Sequence, residues 1–366
     1  MNSTHSALML IEPFHALYAN KQRALAEPVF FDAVKEDYQQ FLNAGFFLHM
    51  AQPALFIYKI ATPTRTYTGV LASVDIEAYL SGNIKKHELT IQAEEEKQTQ
   101  FLQNRQAAVK PVLLTYAENA QIDAWLEHYA QLHPPFLDIH FALEQQNHQF
   151  WAIQASDDVI FIQSLFNQYI QHAYIADGHH RMASIARIQQ KKDAPVAYRQ
   201  GFCAFFPSKQ LDILPFHRLV RINQSIDSQK FTTICRIEKL AAPALPSAPH
   251  EFTLGMGQHW YRLHWRAEAL QLPTDTDATL LNKLIMNNLM HIVDVRNDPR
   301  IQYVAGADGL DAVQQKLQTR PDYMAFCLYP ISFDTLATLV DAGHTLPPKS
   351  TWFEPRMKNG LIVKIY

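Results

Sequence analysis

Apolar positions recur at two periods along the chain, and each period predicts a kind of element. Residues 46–50, 54–60 and 67–74 are rich in aromatic and β-branched side chains and read as strands; residues 32–43, opened by Asp32, read as an amphipathic helix. Residues 84–109 are rich in Glu, Gln and Lys with few breakers, which predicts one or two exposed helices ahead of a strand over 111–116. Trp125, Leu126, Tyr129 and Leu132 then fall at helical spacing, and Pro134-Pro135 ends that helix. Residues 136–143 and 149–153 form a hairpin pattern across a polar turn, and Ser156-Asp157-Asp158 supplies a helix start before Ile162, Leu165, Phe166, Tyr169 and Ile170.

The composition changes after Ile222, and the Ala/Pro-rich stretch 241–249 reads as a linker or long loop. A helix over 279–293 follows Asp275-Thr276-Asp277, residues 323–329 form a buried strand, and a helix over 332–341 ends at Gly343. These alternating elements predict an α+β protein of mixed, multi-layer architecture. Three regions are expected, 1–120, 121–222 and 223–366, with no internal repeat.

At 366 residues, 48% hydrophobic and 18% charged, the chain has ample material for a core and too little charge for a disordered segment. A net charge of -3 provides no global field for gripping DNA or anionic lipid, so neither partner is expected. Cys203, Cys235 and Cys327 are scattered and form no C-x-x-C pair, which argues against a disulfide framework and a cysteine zinc site. No signal-peptide pattern opens the chain and no apolar run approaches about 18 residues, so a cytoplasmic location is expected. None of the 11 glycines forms a dinucleotide fingerprint or a Walker loop, so phosphate binding needs another device.

That device is expected at residues 173–188. Ala173 to Ala176 reads as a short buried strand, Asp177-Gly178 as a tight turn, and His179-His180-Arg181 as the start of a helix. Unpaired N–H groups and the positive end of a helix then point at one place, where Gly178 permits close approach and Arg181 offers a two-pronged donor. The competing reading is structural: Asp177 caps the helix and Arg181 pairs with an acid.

Three weaker candidates accompany it. His87-Glu88-Leu89-Thr90 is not a zincin motif, because position 91 is Ile91 where a second histidine would be needed. It is either ordinary helix or a place where Glu88 serves as a base or metal ligand while His87 and Thr90 touch phosphate. His217 and Arg218 follow a strand break, and Lys349, Ser350 and Thr351 follow Pro347-Pro348.

Together, residues 11–14, 84–90, 176–181, 213–218 and 346–355 resemble, in order, the motifs of the DUF1015 family of uncharacterised bacterial and archaeal proteins. Phe216, Glu354 and Arg356 depart from the usual threonine, aromatic residue and lysine of that pattern. The D-G-H-H-R loop is similar to the phosphate-binding loop of ParB-type nucleotide-binding domains, sulfiredoxin and free-serine kinases, which implies a ParB/sulfiredoxin-like α/β core. The likeness to the kinases implies that Gly178, His179, His180 and Arg181 hold nucleotide phosphates. It also implies that Asp177 or Glu88 activates a hydroxyl or holds Mg²⁺. The expected activity is transfer of a phosphoryl group from ATP or ADP to a small hydroxyl metabolite such as free serine. The alternatives are a ParB-like nucleotide- or DNA-binding regulator and a non-catalytic nucleotide sensor.

Overall fold

The computed structural model describes residues 9–222, 228–270 and 275–366. Two compact units result: one runs to Leu211 and takes back Pro355–Tyr366, and the other is Asp212–Glu354.

The first unit is organised by a mixed sheet. Among the described residues its strands lie in the order Ile84–Lys85, Ala173–Asp177, Val112–Tyr116, Gln200–Pro207, Thr66–Asp75, Leu55–Ala61, Gln146–Ile153 and Leu137–Phe141, with Ile11–Glu12 also paired to Thr66–Asp75. Ile84–Lys85 runs parallel to Ala173–Asp177, and Val112–Tyr116 parallel to Gln200–Pro207; the other pairs are antiparallel. Strands from before and after residue 120 interleave in this sheet. Their shared backbone hydrogen bonds therefore unite the expected regions 1–120 and 121–222 in one unit.

Both faces of the sheet are covered, which explains continuous apolar runs such as Val112–Tyr116, buried at every position. Along Gln200–Pro207, Cys203 and Phe205 point into the core shared with the helices Ala120–Leu132, Ser156–Tyr169 and His179–Gln189. Phe202 and Phe206 alternate with them and meet aromatic rings instead: Phe14 at 5.1 Å and Tyr58 at 5.9 Å. A separate four-stranded sheet, Phe47–His49, Ala16–Ala19, Ile362–Ile365 and Ala107–Ala108, ties in the last residues of the chain.

The second unit carries an antiparallel six-stranded sheet in the order Cys235–Leu240, His259–Trp265, Glu251–Met256, Tyr323–Leu328, Phe216–Arg221 and Ile301–Ala305. Asp212–Leu214 pairs separately with Trp352–Glu354. The helix Phe333–Asp341 starts where the Ser332 hydroxyl accepts a hydrogen bond from the Thr335 N–H at 3.1 Å. Mixed sheets with packed helices make the chain α+β, and no helix among the described residues is long and apolar enough to cross a membrane.

Three local expectations need correction. Residues 32–43 are not one helix: Phe30–Ala33 and Tyr38–Asn43 are separate, and Phe30 packs on Phe41 at 5.0 Å across the break. Residues 279–293 give way to a short α-helix, Asp277–Leu280, followed by π-helical Leu281–Asn287. Most consequentially, residues 84–109 open with the strand Ile84–Lys85, and the helix begins only at Gln92. Pairing at the sheet edge overrides helix propensity there, and leaves His87 to Thr90 in a loop.

Candidate active site at the Asp177 turn

The strand Ala173–Asp177 ends in a turn made by Gly178, whose φ of 101° lies in the left-handed region. A Cβ on Gly178 would lie 2.6 Å from both Nε and Nη2 of Arg181, so glycine also makes room for that guanidinium to fold back over the turn. The helix His179–Gln189 begins at once, and its first internal bond runs from the Met182 N–H to the Gly178 carbonyl at 3.0 Å. The N–H groups of His179, His180 and Arg181 thus belong to the first turn and have no acceptor within the helix.

Three cations converge on the single Asp177 carboxylate. Arg181 Nη2 lies 2.8 Å from Oδ2, Lys110 Nζ 3.8 Å from the same oxygen, and Arg356 Nη1 3.5 Å from Oδ1. Burial pushes the Asp177 carboxyl up, but the combined fields of Arg181, Lys110, Arg356 and His179 overcome it and hold the group well below the usual carboxylate range. The Lys110 ammonium feels burial first and then the neighbouring Arg181, which together outweigh Asp177 and bring it down to about 8. Arg181 thus pairs with an acid, but the helix N-cap is Gly178 and no side chain caps it, so Asp177 does not cap the helix as the structural reading expected; positive charge stays in excess beside the helix start.

Parallel register brings the second motif to this turn. Ile84 lies opposite Ala173 and Lys85 opposite Tyr174, so the chain leaving Lys85 travels alongside the chain approaching Gly178. One result is that the buried rings of His87 and His179 meet edge to face, with centroids 4.4 Å apart and planes at 89°. Burial brings His87 down to about 4 against a hydrogen bond with the Ile175 backbone, and burial likewise holds His179 well below its ordinary value. Both rings are neutral at pH 7. Their neighbour Glu88 is half-buried, and Thr90 donates its hydroxyl hydrogen bond to Glu95. Ser184 Oγ and Arg187 Nη2 reach Glu95 O and Glu96 Oε1 at 3.0 and 2.9 Å, clamping the helix Gln92–Arg105 to the helix His179–Gln189.

The remaining candidates lie in the second unit. His217 is buried and accepts a hydrogen bond at Nδ1 from the Leu328 N–H at 3.3 Å; burial and the adjacent Arg218 bring it down to about 4. Arg218 is fully buried: Nη1 donates to the Phe216 carbonyl at 2.7 Å, and Nε and Nη2 have no hydrogen-bond partner among the described residues. Lys349 Nζ sits 5.1 Å from the Phe216 ring centre, and Ser350 Oγ donates to the Pro347 carbonyl at 2.7 Å. Thr351 follows directly, before the strand Trp352–Glu354.

Sequence reasoning overlooked Lys110 altogether and met Arg356 only as a departure from a motif. For Lys110 the available signal was slight, a lone lysine before Pro111 at the mouth of a strand. No local pattern connects position 110 or 356 with 177.

A sequence profile described as "Protein of unknown function (DUF1015)" matches residues 1–294. Comparison with curated proteins finds no match. Among solved structures, SbnI with a C-terminal truncation from Staphylococcus aureus aligns over 81% of this chain and 87% of its own, at 13% identity and a TM-score of 0.43. A mutant free serine kinase in complex with ADP aligns over 80% and 92%, at 12% identity and a TM-score of 0.39. A conserved hypothetical protein from Pyrococcus furiosus aligns over 81% and 95%, at 14% identity and a TM-score of 0.37. Likeness at this level transfers no residue roles.

Proposed function

The chain belongs to the DUF1015 family, and from that premise we propose that it is a nucleotide- and Mg²⁺-dependent phosphotransferase acting on a small hydroxyl compound, free serine among the candidates. The observation that carries the reading is the charge balance at the Asp177 turn, where Arg181, Lys110 and Arg356 surround one carboxylate. A terminal phosphate entering beside that carboxylate gains two guanidinium groups, an ammonium and the first-turn N–H groups of the helix His179–Gln189.

In this reading Gly178, His179, His180 and Arg181 hold the phosphates, with Lys110 and Arg356 completing the cradle. Asp177 keeps the cations in place before the nucleotide arrives. Glu88 orients the acceptor hydroxyl and takes its proton as the oxygen forms its bond to phosphorus and the bond to the bridging oxygen breaks. Asp177 and Glu88 are both oxygen donors of the type Mg²⁺ accepts, and Glu88 fits that role better because Asp177 already faces three cations. Mg²⁺ would supply charge neutralisation on the phosphoryl oxygens. Arg218 and Lys349 are proposed as a further anion contact within the second unit, supported by the two partnerless guanidinium nitrogens of Arg218.

The test is phosphorus NMR of the full chain with Mg²⁺, ATP or ADP, and a panel of hydroxyl metabolites including serine. A new phosphomonoester signal, lost in Arg181→Ala and Glu88→Gln, is the expected result. Tight saturable DNA binding at about 150 mM salt with no phosphoester formed would overturn the proposal in favour of a regulatory role. Nucleotide binding without turnover on any acceptor would overturn it in favour of a sensor.

A further inference from the structure

Beside the phosphate cradle, His87, Glu88 and His179 form a second cluster, and its use as a ligand set competes with the base and Mg²⁺ roles proposed above for Glu88. His87, Glu88 and His179 each offer one ligand atom, and these atoms all lie within 4.8 Å of one another. We propose that His87, Glu88 and His179 bind one divalent first-row transition ion, of the Zn²⁺ or Fe²⁺ kind, through two imidazole nitrogens and one carboxylate oxygen. The site does not depend on the phosphotransferase reading and would hold in a chain that bound no nucleotide.

Spacing comes first. Metal–ligand bonds of about 2.1 Å require donor atoms within about 4.2 Å of each other, so a small side-chain adjustment closes the set. The second observation is His179 itself. It is 8% exposed, and its Nε2 has no hydrogen-bond partner among the described residues, in a place where a buried polar atom needs one. An ion beside that nitrogen supplies the missing partner.

The surroundings match what such ligands need. The hydrogen bond between the His87 ring and the Ile175 backbone fixes the orientation of the ring and its tautomer, as outer partners do for metal-bound histidines. Perpendicular rings with centres 4.4 Å apart let two imidazoles address one point without stacking. The donor set also selects the ion: two imidazoles suit zinc and iron, whereas Mg²⁺ prefers oxygen. Three protein ligands leave at least one position for water or a substrate oxygen, the pattern of reactive rather than purely structural sites. The site is tied to the fold, because His87 reaches His179 only through the parallel pairing of Ile84–Lys85 with Ala173–Asp177.

The test uses the full chain stripped with a chelator and titrated with Co²⁺, read by visible absorption. One equivalent should bind with a ligand-field spectrum, be displaced by Zn²⁺, and resist excess Mg²⁺. Glu88→Gln, at a half-buried position, should retain its circular dichroism while its Co²⁺ affinity falls at least as far as the roughly 10- to 100-fold seen when outer-shell partners are lost. His179→Asn should fall further. Absence of a Co²⁺ spectrum in the parent protein would overturn the proposal, as would unchanged stoichiometric binding in folded Glu88→Gln. Both results are read without nucleotide, so they are distinct from failure of the phosphotransferase assay.

Discussion

Replacing Gly178 with alanine tests whether the turn exists to place Arg181. The new Cβ would lie 2.6 Å from Nε and Nη2 and 2.9 Å from Cζ of that guanidinium. Because those atoms end a flexible side chain, the clash is relieved by swinging Arg181 away, at the cost of its 2.8 Å contact with Asp177. Loss of a partly exposed charged hydrogen bond costs about 1 kcal/mol. Left-handed backbone in a non-glycine residue adds about 1–2 kcal/mol, and the stiffer unfolded chain offsets roughly 0.4–1 kcal/mol. Gly178→Ala should therefore lose about 1–3 kcal/mol in urea unfolding, within the range of those effects. Its phosphate ligand should lose more: a misplaced charged donor worth about 1.5–3 kcal/mol lowers ADP affinity roughly 10- to 150-fold by isothermal titration. Gly82→Ala is the control, with a φ of 86° and nothing within 4 Å of its added Cβ. It carries the backbone strain alone and should leave ADP affinity unchanged. Equal ADP affinity in Gly178→Ala and Gly82→Ala would refute the reasoning.

Acid should destabilise the fold through its buried histidines: burial brings His87 and His217 down to about 4 and His148 to about 3, so they stay neutral when folded and take up protons on unfolding. Stability then rises with pH between about 4 and 6.5, by up to about 1.4 kcal/mol per pH unit for each such group, and equal urea midpoints at pH 5 and pH 7 would contradict this. Lys110, at about 8, loses its charge as pH rises past that value, so phosphate affinity should fall between pH 8 and 9; Lys110→Met should abolish that fall, measured by titration at both pH values. Arg218 is fully buried, with its guanidinium 5.7 Å from the Tyr303 ring centre and no carboxylate partner among the described residues. Arg218→Met should therefore raise unfolding stability by about 1–4 kcal/mol, and a lower urea midpoint would show that the guanidinium is better compensated than its contacts indicate.

Local chemistry made much of the molecule legible. The strand, glycine turn and helix at 173–189 follow from apolar residues, a residue able to adopt positive φ, and a helix-forming run, all adjacent in sequence. The hairpin Leu137–Phe141 with Gln146–Ile153 and the helix capped by Ser332 were readable for the same reason. Residues 84–109 were misread because their polar, breaker-poor composition favours a helix, whereas the first two residues spend their backbone groups on a partner strand 89 positions away.

The sequence by itself determined the α+β class and the D-G-H-H-R turn, because propensity and periodicity act between residues close along the chain. Its motifs pointed to Glu88 sharing a cleft with the Asp177 loop, but it could not determine that Lys110 and Arg356 share Asp177, nor the distances that bring His87 and Glu88 beside His179. Those meetings join residues 67 to 179 positions apart; strand order and register, which depend on how the whole sheet buries its two faces, place Lys110, His87 and Glu88, and the return of the chain's last residues to the first unit places Arg356. Tertiary structure thus decided the charge excess and the ligand set, since electrostatic and coordination chemistry depend on distance through space, and separation along the chain does not fix that distance.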